Sequence, residues 1–164
     1  MDEKLDQAVS DRGAARRRIP VQGLRANSFA ALVILLIEYG FGVWVNLYGQ
    51  LPASDHGASV ATSFGRAVAD GPAGLSIHAV LGAVLIVSAV SAVVRSLRVR
   101  RPVFIAAAIV GLVAVVGAAL SGASFVGRGG NASSMSMAVA AGLAIGAYAL
   151  VLFLSAAVPE TSRS

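Results

Sequence analysis

Four stretches of mostly apolar residues divide this 164-residue chain, and each is long enough to cross a bilayer. They fall at about 28–48, 75–94, 103–125 and 135–158. A segment in lipid must satisfy its own backbone hydrogen bonds, so each stretch reads as an α-helix. The expected fold is all-α: a polytopic membrane protein built as a four-transmembrane-helix bundle. Charge content agrees, because only 13% of the residues are charged against about 25% in an ordinary soluble domain.

The arginines orient the chain. Residues 1–27 form a polar tail, mixed or acidic at first and then basic, with Arg12, Arg16, Arg17, Arg18 and Arg25 and no acid among them. The segment RSLRVRRP adds Arg95, Arg98, Arg100 and Arg101 between the second and third spans. With the N-terminus in the cytoplasm, the middle loop and the two tails (1–27 and 159–164) hold 11 basic and 5 acidic side chains. The two opposite loops then hold 2 and 2. This excess beside short loops predicts both termini inside, in the plasma membrane. Arg16, Arg17, Arg18, Arg98, Arg100 and Arg101 are placed to meet anionic lipid head groups, at about 1 kcal/mol each. The net charge of +5 is thereby accounted for without nucleic acid.

Local signals fill in the connections. Pro52, Gly57, Gly71 and Pro72 punctuate the loop at 50–74. Within it Val60, Phe64 and Val68 recur every four residues, which suits a short amphipathic helix on the membrane surface or, equally, an irregular loop. Pro102 is placed to open the third helix, because a first-turn proline gives up no internal hydrogen bond. Small residues four apart (Ala107 and Gly111; Ala114, Ala118 and Gly122; Ala138, Gly142 and Gly146) let helices approach closely. Gly42 and Gly82 join them as packing candidates, and the Gly142–Gly146 pair is expected to pack within the chain.

Few side chains can carry chemistry. Glu38 is ionisable within the first span, where a charge is costly unless it faces protein or water. It shares a helix face with Gly42 and Asn46, at steps of four. It is expected to be protonated and hydrogen-bonded, with Ser88 or Tyr148 as partner. Counted in from the expected helix ends at Tyr48 and Leu75, Glu38 lies about 10 Å deeper than His78, so the two are not expected to pair directly. His78 is instead expected near Asn46, Ser121, Ser124, Ser134 or Ser136, in a polar pocket opening outward. No cysteine is present, which removes disulfides and thiolate sites. The chain has no P-loop, no G-x-S-x-G and no H-E-x-x-H, and its two histidines are too few for a zinc site.

The run Ser76-Ile77-His78-Ala79-Val80-Leu81-Gly82 resembles the haem-ligating helix of small four-helix membrane cytochromes of the b561 type. That resemblance implies a haem b carrier with His78 as an axial ligand. Those cytochromes pair histidines, whereas the other histidine here, His56, falls in a loop; Met135 and Met137 offer thioethers instead. The sequence therefore favours a protein isolated without stoichiometric haem. Its first reading is a small non-catalytic accessory or interaction subunit, with a membrane-protein partner or a second copy of itself. The alternative is a small ligand, proton or redox carrier that uses Glu38 and His78.

Overall fold

The computed structural model describes residues 2–48, 59–128 and 131–157. Five helices account for nearly all of them: α1 (Asp2–Tyr48), α2 (Val60–Ala69), α3 (Ala73–Val99), α4 (Pro102–Arg128) and α5 (Asn131–Ala156). The four long ones are apolar and long enough to cross a membrane, over Val21–Val45, Ala73–Val99, Pro102–Phe125 and Asn131–Ala156. At 1.5 Å per residue these spans measure about 36–40 Å, enough to cross a hydrocarbon core of about 30 Å with some tilt. The chain is a multi-pass membrane protein, and its apolar helices lie in contact with lipid.

The helices form a ring in which α1 packs on α3 and α5, and α4 packs on the same two. Buried positions are mostly small. Ala31, Ala89, Ala92, Ala108 and Ala144 are fully enclosed, while Phe29, Leu47, Val87, Val113, Leu120 and Phe153 are exposed. Lipid tails are as apolar as leucine, so large side chains gain little by turning inward. Close backbone approach at alanine and glycine supplies the packing instead. Phe104, Leu24, Val151 and Tyr148 are the large side chains that are fully buried.

Several boundaries differ from the sequence expectation. α1 reaches back to Asp2, across the stretch read as a tail, because Ala, Arg, Gln, Glu and Leu in that segment are good helix formers. Pro20 lies inside this helix and removes one backbone hydrogen bond. The first apolar span accordingly begins at Val21. Pro102 opens α4, as the sequence indicates. The preceding turn is tight, with Arg100 in the left-handed region at φ 58 and its N–H donated to Ser96 O at 3.1 Å.

The segment before α3 is a helix, not an irregular loop. Ser59 caps α2 by accepting from Thr62 N at 3.2 Å. Ala67 of α2 is buried against Val45 and Leu75, whereas Phe64 and Val68, on the expected apolar stripe, stay largely exposed. Ser76 ties the end of α2 to α3, donating to Ala67 O at 2.7 Å with Gly71 O at 3.1 Å.

Candidate functional site

Of the candidate polar groups, Glu38 and His78 come together: His78 Nδ1 meets Glu38 Oε2. This overturns the expectation that they stand too far apart in depth. α1 ends at Tyr48, as expected, while α3 starts at Ala73, two residues before Leu75. That leaves about 7–8 Å of the depth difference, which the reach of the two side chains and an offset between the helices take up. The pair lies between α1 and α3 in the half of the bundle nearer α2. Glu38 is 9% exposed and His78 26%.

The pair is short of other partners. Among the described residues, Glu38 Oε1 is buried without a hydrogen-bond partner, and His78 Nδ1 has no polar neighbour besides the carboxyl. Neither α1 nor α3 carries an arginine within three turns of it. The partners expected for Glu38 do not meet it: its contact is with His78, and among the described residues Tyr148 OH is buried without a partner.

A carboxyl group on one imidazole nitrogen has a definite structural consequence. The contact fixes the orientation of the ring, whichever of the two groups carries the shared proton. The His78 ring edge is turned toward Gly42. A Cβ built there would stand 3.7 Å from His78 Cε1 and 3.7 Å from Met137 Cε. The thioether runs on to α4, where Met137 Sδ would lie 3.4 Å from a Cβ at Gly122. Gly42 and Gly122, expected to serve helix packing, here border the imidazole and the sulfur.

The serines go elsewhere. Ser121 and Ser124 line a groove of about 300 Å³ between α4 and α5 together with Leu120, Ala132, Ser133 and Ser136. At 100° per residue, that face of α4 is turned well away from the face carrying Gly122. Ser136 donates to Ala132 O of its own helix at 2.9 Å. The side chain of Asn46, like those of Arg16, Arg17 and Arg18, lies outside the described residues. Arg98, Arg100 and Arg101 are exposed at the end where α3 meets α4.

The packing glycines divide as well. Gly111 lies under the Tyr148 ring, where a Cβ would stand 2.9 Å from Cζ. Gly82, Gly142 and Gly146 have open space where their Cβ would be. Among the described residues the Gly142–Gly146 pair therefore packs against nothing, contrary to expectation. It lies on the outward face of α5 with Val139, Leu143 and Leu150, since the buried face runs through Ala144, Ala147, Tyr148 and Val151.

Sequence reasoning missed two features of this region. Trp44 covers the backbone at Gly74 so closely that no Cβ fits there, and Ser76 anchors α2. Glycine and serine at the start of an apolar helix gave only a faint signal for either. The chain matches no protein-family model, and no curated protein or solved structure shows significant similarity to it.

Proposed function

We propose that this small membrane protein is a carrier that holds a ligand or prosthetic group on His78, with Glu38 as the residue that positions the imidazole. The supporting observation is the carboxyl–imidazole contact inside the spans. A pair used only for packing would be an expensive way to join α1 and α3, because both groups must be withdrawn from water. A carboxyl-backed histidine is instead the arrangement that makes an imidazole a fixed, electron-rich donor. Haem b is the group that the b561-type resemblance implies for such a donor, and His78 is the residue that would hold it. The arginine distribution supports placing the Arg95–Arg101 end in the cytoplasm, so the site would face the outer half of the membrane.

The test is native mass spectrometry of the protein released from mild detergent. The wild type should carry a bound non-protein mass that His78→Ala loses and Glu38→Gln retains more weakly. A wild type that carries only lipid and a stoichiometric protein partner, unchanged in His78→Ala, would establish the accessory role instead.

A further inference from the structure

We propose that the groove between α1 and α5, at the end of the bundle that carries the α3–α4 turn, binds one anionic phospholipid, with its phosphate on Arg25 and an acyl chain laid along Ala26, Phe29 and Leu152. The groove lies at the other end from Glu38 and His78 and is independent of what they hold.

The groove has a volume of about 440 Å³ and is lined by Gln22, Arg25, Ala26 and Phe29 of α1 and by Leu152 of α5. The α1 residues recur at steps of three and four, so they form one stripe along the helix. Taken from the end of the span inward, that stripe runs amide, guanidinium, methyl, phenyl. A phospholipid presents its groups in the same order, with the polar head first, the phosphate next and hydrocarbon last. Phe29 lies about 6 Å deeper along α1 than Arg25, so a phosphate at the guanidinium leaves its chain against the ring. Arg25, Ala26 and Phe29 are all exposed, Phe29 at 61%, so the groove opens sideways and a chain enters it from the bilayer.

Charge selects the head group. Arg25 stands four residues, about 6 Å, inside the span that begins at Val21. A guanidinium at that depth is costly unless an anion or water reaches it. α5 carries no charged residue, and the acids of α1 nearest to Arg25 are Asp11 and Glu38, each more than three turns away. A phosphate diester held in the fork of guanidinium N–H donors supplies the missing negative charge. The rest of this end has the same sign. On the far side of α1, Arg95 reaches Gly23, where a Cβ would stand 2.6 Å from its Nη1, and Arg98, Arg100 and Arg101 are exposed nearby. A head group with net negative charge gains from that field, whereas the ammonium of a zwitterionic head is repelled by it. Exposed arginines alone would attract a charged surface diffusely. The groove adds a place for one chain, so that head and tail are held together.

The experiment uses the purified full-length chain in mild detergent, supplied with phosphatidylglycerol or phosphatidylcholine of identical acyl chains, and reads retained lipid by native mass spectrometry. One phosphatidylglycerol should be held about fivefold more tightly than phosphatidylcholine. Arg25→Gln should abolish that preference. Arg66→Gln, which removes the same charge at the α2 end, should leave it unchanged. Ala26→Leu keeps every charge but fills the groove, and should weaken phosphatidylglycerol binding by a similar factor. Ala26 is exposed, so the larger side chain has room and the fold should be kept, which circular dichroism checks. Glycerol phosphate, a head without chains, should not displace the lipid. Equal retention of the two lipids, or a preference that survives Arg25→Gln, would overturn the proposal. Binding untouched by Ala26→Leu would reduce the site to surface charge and overturn it too, as would displacement by glycerol phosphate.

Discussion

The end of the bundle that carries the α3–α4 turn and the end that carries α2 are made from the same four helices, yet they close differently. Toward the first, Leu24, Ser28, Ala31, Ala89, Ala92, Ser96, Phe104, Ala108 and Val151 are all sealed from the surface. Toward the second, no described residue of α4 beyond Val115, or of α5 before Ala144, is fully buried. There the enclosed positions belong to α1 and the start of α3, with Ala67 of α2 laid over them. The difference follows from side-chain size. Where Ala, Ser and Gly face one another the backbones approach and exclude everything else. Where Glu38, His78 and Met137 face inward, the helices must stand apart to accommodate them. The bundle thus has a closed end, which holds the fold, and a looser end, where the inward polar and thioether side chains lie.

The contrast has a direct test within one helix. Phe104 and Phe125 sit near opposite ends of α4, the first 1% exposed and the second half-buried. Phe104→Ala should cost about 2–3 kcal/mol, toward the low end for a buried phenylalanine because the reference environment is lipid and not water. Phe125→Ala should cost about 1 kcal/mol or less, since its surroundings are only partly packed. Thermal or denaturant unfolding in a fixed detergent would measure both. Equal costs would mean that the two ends are equally closed.

A smaller effect distinguishes the glycines. Gly111→Ala drives a methyl to 2.9 Å from Tyr148 Cζ, and that ring is fully buried and cannot swing aside. Overpacking of this kind should destabilise by about 1–2 kcal/mol. Gly82→Ala meets nothing within 4 Å and should be neutral, or stabilising by up to about 1 kcal/mol through helix propensity. If both substitutions prove harmless, the close packing of α4 on α5 is looser than the distances indicate.

Much of the architecture was legible in the sequence, and the parts that were not have physical reasons. The number of spans, the inward face through Glu38 and Gly42, and the helix start at Pro102 follow from hydropathy, the step of four and proline chemistry. Depth was not legible. Counting residues in from each helix end assumes that the ends lie level, and that assumption was enough to separate Glu38 from His78 on paper. Helix rotation was not legible either. A G-x-x-x-G spacing places Gly142 and Gly146 on one face without saying which way that face turns. Met137 stands out as a sulfur donor from residue type alone. That it reaches Gly42 depends on which helices are neighbours in the ring, and hydropathy carries no such information.

The finest test concerns the interior of the closed end. Tyr148 is fully buried there, and its hydroxyl has no hydrogen-bond partner among the described residues. A buried hydroxyl without a partner carries its desolvation cost with nothing to offset it. Removing it while keeping the ring retains the packing on Gly111 and relieves that cost. Tyr148→Phe should therefore be neutral or slightly stabilising, within about 1 kcal/mol, in the same unfolding measurement. A destabilisation larger than that would mean the hydroxyl is satisfied in the folded protein by an enclosed water. Such a water needs room and several polar partners. The closed end would then be wet, and the line between the two halves of the bundle would have to be redrawn on the basis of polarity instead of packing.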